Sequence, residues 1–211
     1  MSDSLFPDVD AHVIDTNLFV AFERHDTVEL LERAVRAHDV VLVLPSRVYE
    51  ELTPANYPYG TPPVENAIEA GWAEVLEEVD YTNPVVSATM DMVRRYIAAA
   101  DDRSEHDIEQ ADAEVGGGTA MLLERGEDDS VAVYTHDLPA FRGIERALTE
   151  HGYEDRVQLV RASISSRQSK IGISFRRNII SFSENFNKGS RSLLSRLRDS
   201  LMDTYHPRPG I

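Results

Sequence analysis

Four acidic residues have the types and spacing to act together: Asp15, Glu51, Asp112 and Asp137. Asp15 directly follows the β-branched pair Val13-Ile14, and Asp137 lies two positions past the apolar run Val131-Ala132-Val133-Tyr134-Thr135. If those runs are neighbouring parallel strands, both carboxylates sit at one edge of a sheet, where open α/β sheets form their ligand crevice. Glu51 falls in a helix after a second strand, and Asp112 in a long helix before the third. Carboxylates brought together repel and raise one another's pKa, so their clustering is unfavourable unless a cation occupies it. The chain has no Cys, and oxygen ligation with room for water suits Mg²⁺ or Mn²⁺ rather than zinc. Such an ion orients a water, lowers its pKa and stabilises charge on a phosphate during in-line displacement.

The elements that must position these acids follow from the apolar pattern. A short strand around residues 12–14 is stopped by Asp15-Thr16-Asn17, a helical turn is expected over 16–22, and a helix over 27–38 is capped by Asp26, with Val28, Leu31 and Val35 on one face. The unbroken run Val40 to Leu44 predicts a strand covered on both faces. Pro45 closes it, and Ser46 is the expected cap of the helix carrying Glu50 and Glu51. Residues 53–63, with four of the ten prolines, form a loop. A short helix over 64–71, a weak edge strand over 74–79 and a helix from Asn83-Pro84 to about Ala100 follow. A long helix over 105–124 holds Asp112 and Gly116-Gly117-Gly118; a strand over 131–135, a helix over 138–151 stopped by Gly152 and a strand over 157–160 complete the series. Helices alternating with strands imply a parallel sheet, hence an α/β fold: a three-layer α/β/α sandwich.

Charge is unevenly spread. The 211 residues hold 37 acids and 21 bases, a net −16. Up to Val160 there are 34 acids, 11 Arg and no Lys, a balance of −23; beyond it 3 acids face 10 bases, a balance of +7. So acidic and Lys-poor a surface resembles the proteins of salt-accumulating haloarchaea, in which molar salt screens self-repulsion. No apolar run is long enough to span a bilayer, and the N-terminus lacks a basic region followed by an apolar one, so an intracellular, cytoplasmic protein with no membrane partner is expected. The composition breaks at Arg161, dividing the chain into residues 10–160 and a basic, Ser-rich extension over 161–211. Alternation at Ile171, Ile173 and Phe175 suggests a hairpin, residues 191–202 have helical periodicity, and 207–210 form a frayed end. The extension either covers a sheet edge or joins protomers, or it is a basic arm for nucleic acid.

With these pieces in view, residues 10–160 resemble the PIN-domain nucleases. The matching segments are Val-Ile-Asp15-Thr-Asn, Val48-Tyr-Glu-Glu51-Leu, Asp112-Ala-Glu-Val before a small-residue helix, and Val-Tyr-Thr135-His-Asp137. The resemblance implies a metal-dependent endoribonuclease, as in the toxin halves of many toxin–antitoxin pairs, with RNA as substrate and an antitoxin protein and further copies of the chain as candidate partners. It also implies that Asp15, Glu51, Asp112 and Asp137 ligate Mg²⁺ or Mn²⁺, and that Asn17 and Thr135 orient ligands or water. Glu50 competes with Glu51, which the family pattern favours because it precedes Leu52 directly. Glu109 and Glu114 compete with Asp112; Glu109, at i−3, would share its helix face as a secondary ligand.

Other signals are weaker. Gly116-Gly117-Gly118-Thr119 is no nucleotide loop, since no Lys follows and no strand precedes; close helix–sheet packing is expected there. His12, His106 and His136 flank the site in sequence and read as surface or capping groups, and no Ser/His/Asp set suggests acyl transfer. A catalytically inactive PIN-like module gripping RNA or protein, and a phosphatase using the same acids, are the competing readings.

Overall fold

Apolar runs without polar alternation form strands where both faces are covered, and the computed structural model of the chain gathers each such run into one sheet. It describes residues 6–24, 27–53, 56, 63–76, 78–126, 128–167 and 170–179. Strands β1 (Ala11–Ile14), β2 (Leu42–Leu44), β3 (Ala73–Val75), β4 (Val131–Thr135) and β5 (Val157–Arg167) are parallel, and β6 (Lys170–Ile179) returns antiparallel to β5. The order is β3-β2-β1-β4-β5-β6. The chain builds outward from β1 through β2 to β3, then crosses to β4 and β5 on the other side. The strand order therefore reverses between β1 and β4, and the crevice belongs at their C-terminal ends.

Among the described residues, seven α-helices cover the sheet: α1 (Thr16–Arg24), α2 (Val28–Ala37), α3 (Ser46–Glu51), α4 (Pro63–Glu69), α5 (Pro84–Asp101), α6 (Gln110–Arg125) and α7 (Leu138–Glu150). This is the expected α/β/α fold. Every residue of β1, β2 and β4 is buried, and Phe19 stacks on Trp72 with ring centroids 5.8 Å apart. All these elements fall within Leu5–Ser181. The expected helix over 191–202, the end at 207–210, the Asp26 cap and most of the loop over 53–63 lie outside the described residues.

Several local expectations change. The residue flanking α2 is Thr27, whose hydroxyl donates to Phe22 O at 2.9 Å rather than capping the helix. Pro45, not Ser46, flanks α3, with Ser46 already its first residue. The helix expected over 105–124 is broken: Ser104 caps a single 3₁₀ turn at Glu105–Asp107, Ile108 is extended and buried, and α6 begins only at Gln110. The strand expected to end at Val160 continues to Arg167, because period-two alternation persists across the change in composition. The glycine run does mark a close approach, but to other parts than the sheet. A Cβ on Gly117 would stand 2.5 Å from Met90 Cγ of α5, and one on Gly118 would stand 2.9 Å from Leu76 Cδ2.

Candidate active site

Parallel pairing aligns Ile14 with Tyr134, so Asp15 and Thr135 follow side by side at the C-terminal edge. Asp15 is 3% exposed. Its Oδ2 accepts the Thr135 hydroxyl at 2.6 Å, and its Oδ1 accepts the Asn17 backbone N–H at 3.0 Å. Thr135 Oγ1 in turn accepts the Asp137 N–H at 3.1 Å, so one hydroxyl ties both loop ends together. Asn17 acts on Asp15 through its backbone; its side chain is exposed. Burial raises the Asp15 pKa first, and nearby Asp137 raises it further, against the lowering hydrogen bonds from Thr135 and Asn17.

Asp137 is the N-cap of α7, its Oδ1 accepting the Ala140 N–H at 3.2 Å. Asp112, in the first turn of α6, has its carboxyl pushed up to about 8. Burial is the main cause, followed by the charges of Asp15, Glu109, Asp137 and Glu51. Glu51, the last residue of α3, accepts the Thr16 hydroxyl at 2.7 Å. Its pKa is raised by burial, then by Glu109, Asp15 and Glu114. The fold thus brings Asp15, Glu51 and Asp137 within electrostatic reach of Asp112, and Glu51 and Asp137 each within reach of Asp15. Glu50, by contrast, is exposed and pairs with Arg47 at 2.5 Å.

Glu109 does not share a helix face with Asp112. It has extended geometry at the start of α6, φ −59° and ψ 138°, and influences Asp112 and Glu51 through its charge. Glu114 is fully buried, and it accepts the Arg47 N–H at 2.9 Å, the Ser46 hydroxyl at 3.3 Å and the Tyr81 hydroxyl. It therefore caps α3 from another helix and fixes the segment that carries Glu51. His12 is buried as well, stacked on Tyr134, edge-on to Phe6, and hydrogen-bonded to the Tyr134 hydroxyl at 2.8 Å. Burial lowers its pKa to about 4, so the ring is a neutral core group. His106 and His136 are exposed.

Sequence reasoning missed Tyr81, the bonds that Thr16 and Ser46 make to Glu51 and Glu114, and the capping role of Glu114. A signal was present for the last: Glu114 is the one charged residue between Ala113 and Leu123, and a fully buried carboxylate requires partners.

The all-oxygen donor set fits a hard divalent cation, and the repulsion that raises Asp112 is what such an ion would relieve. As the side chains stand, no three His, Cys, Asp or Glu among the described residues are grouped closely enough to hold a metal. No helix among them is long and apolar enough to cross a membrane. A family model for the halobacterial PIN domain matches residues 8–167. No curated protein and no solved structure matches the chain.

Proposed function

The chain belongs to the halobacterial PIN-domain family, and from that premise we propose that it is a metal-dependent endoribonuclease hydrolysing RNA phosphodiesters. PIN domains are generally nucleases that use divalent metals. The observation that carries the reading is Asp112, a carboxyl held near pKa 8 by burial and by four neighbouring acids. An arrangement so costly to ionise is accounted for by a cation that neutralises it.

Asp15, Glu51, Asp112 and Asp137 would hold Mg²⁺ or Mn²⁺, which when bound supplies an activated water and stabilises charge on the phosphate. The chain's own groups prepare the ligands. Thr135 and the Asn17 N–H fix the two oxygens of Asp15, Thr16 fixes Glu51, and burial keeps competing water from Asp15. The cellular setting this reading carries is the toxin half of a toxin–antitoxin pair, tested by whether a co-transcribed small protein suppresses cleavage. The chemical test is cleavage of single-stranded RNA in molar KCl. Products bearing 5′-phosphates, activity lost to EDTA and restored by Mg²⁺ or Mn²⁺, and its loss in Asp15→Asn are expected. Cleavage by Asp15→Asn at the native rate would overturn the assignment.

A second reading, a non-catalytic shell that grips RNA or protein, is favoured by the absence of any group of three ligating side chains among the described residues. RNA binding without turnover at any metal concentration would establish it.

A further inference from the structure

The sheet does not stop at the carboxylate edge. Tyr134 pairs with Ile14 on one side and with Val160 on the other, and Thr135 pairs with Arg161. Asp15, Thr135 and Arg161 therefore occupy one row across β1, β4 and β5, the outer two strands about 10 Å apart. Arg161 is exposed. Because β5 is parallel to β4, its six further residues to Arg167 leave the sheet on the side where Asp15 and Asp137 lie, reaching about 20 Å beyond it. β6 returns beside it.

Period-two alternation sorts this ribbon into unlike faces. On the face that continues from Arg161, Arg161 is opposite Arg176 and Arg167 is opposite Lys170, and the positions between them are serine and glycine only. Alternate positions place Ile164, Ile173 and Phe175 on the other face, together with Arg177. Like charges set directly opposite destabilise a strand pair. The sequence from 161 to 179 holds no Asp or Glu, although the whole chain carries −16. Two cationic pairs separated by small hydroxyl residues make a surface that an anionic polymer stabilises, since phosphates accept from Arg, Lys and Ser alike.

We propose that the Arg161-bearing face of the β5–β6 ribbon seats the phosphate backbone of the RNA and leads it to the carboxylates at the sheet edge. The proposal rests on the nuclease reading for the identity of the polymer. Phosphate contacts position a strand without reading its bases, so this seat is tolerant of sequence and sensitive to salt.

The test measures binding of a labelled single-stranded RNA by the full chain in EDTA across a KCl series, and cleavage with Mn²⁺ in parallel. In the variant combining Arg161→Gln, Arg167→Gln, Lys170→Gln and Arg176→Gln, the slope of log affinity against log salt should flatten by about 3, at roughly 0.7 per contact. KM should rise in proportion while kcat holds. Arg177→Gln, which removes a charge from the other face, should change neither, and replacing the three arginines by Lys should preserve binding. Should the combined variant fail to fold, Arg167→Gln and Lys170→Gln singly should each flatten the slope by about 0.7. An unchanged slope and KM in a cleaving variant, or an equal loss in Arg177→Gln, overturns the ribbon and leaves the nuclease intact. RNA binding that depends on the ribbon without cleavage overturns the nuclease reading alone, and no RNA binding at any salt overturns both.

Discussion

Two buried titratable groups in this protein pull the pH dependence of stability in opposite directions. His12 is held neutral, with its pKa lowered from 6.5 to about 4 by burial. Below 6.5 the unfolded chain takes up a proton that the fold refuses, so this contribution is lost as pH falls from 6.5 toward 4. Asp112 is raised from 3.8 to about 8. Across that interval the fold keeps a proton that the unfolded chain releases, so its contribution is lost as pH rises. Above 6.5 the His12 contribution is complete, and the raised Asp112 carboxyl acts together with the raised Asp15 and Glu51 beside it. The metal-free melting temperature should fall from pH 6.5 to pH 8, Asp112→Asn should flatten the fall, and Mg²⁺ or Mn²⁺ should raise melting more at pH 8 than at pH 6.5. Thr135 offers a second test at this scale. Thr135→Val removes the hydroxyl that joins Asp15 to the Asp137 backbone. Cleavage should drop roughly 10- to 100-fold and stability by about 1–3 kcal/mol, with Thr135→Ser recovering most of both. Thermal melts and cleavage rates on the same preparations would decide it.

Among the helices, α3 depends most on its surroundings. It has six residues, too few to hold together by propensity, and its N-terminal donors are met by Glu114 from α6. Glu114→Ala should destabilise the protein by about 1–3 kcal/mol, leaving the Arg47 N–H without its acceptor. It should also slow cleavage by loosening the helix that carries Glu51. Glu114→Gln keeps an acceptor and should restore much of each, whereas a role for the charge itself would leave Gln as impaired as Ala. The existence and order of the principal helices were readable from apolar spacing. Their ends were less so: polar residues at Ser46 and Thr27 have cap-like chemistry, yet nearby tertiary partners claim their hydroxyls instead. The break before α6 had the same origin, since Ile108 is drawn into the core and the backbone must turn extended to place it.

At the scale of the whole molecule, self-repulsion sets the conditions under which any of this can be measured. A net charge of −16 on 211 residues opposes compaction in dilute buffer. Molar salt shortens the screening length to about 3 Å. Melting temperature should therefore climb between 0.1 M and molar KCl, and a melting point independent of salt would show that the acidic surface contributes little to stability. On the proposed nuclease reading, the same screening reshapes RNA binding, because a positive ribbon is felt only at short range in such salt. The reading then expects an RNA substrate to be held by direct contacts rather than by long-range steering.

The sequence by itself determined where the principal strands lie, that strands joined through helices run parallel, and that Asp15 and Asp137 each follow an apolar run. Those conclusions follow from local chemistry: uniform apolar runs, the residues that stop them, and helices long enough to cross between them. Tertiary structure alone decided what surrounds each acid. Whether Glu50 or Glu51 turns inward, whether Glu109 continues a helix, and which hydroxyl grips which carboxylate depend on contacts between residues such as Thr135 and Asp15, 120 positions apart. The ribbon beyond Arg161 belongs to the same class. Its composition announced a change, but only strand register revealed that its cationic pairs begin in the row that Asp15 occupies.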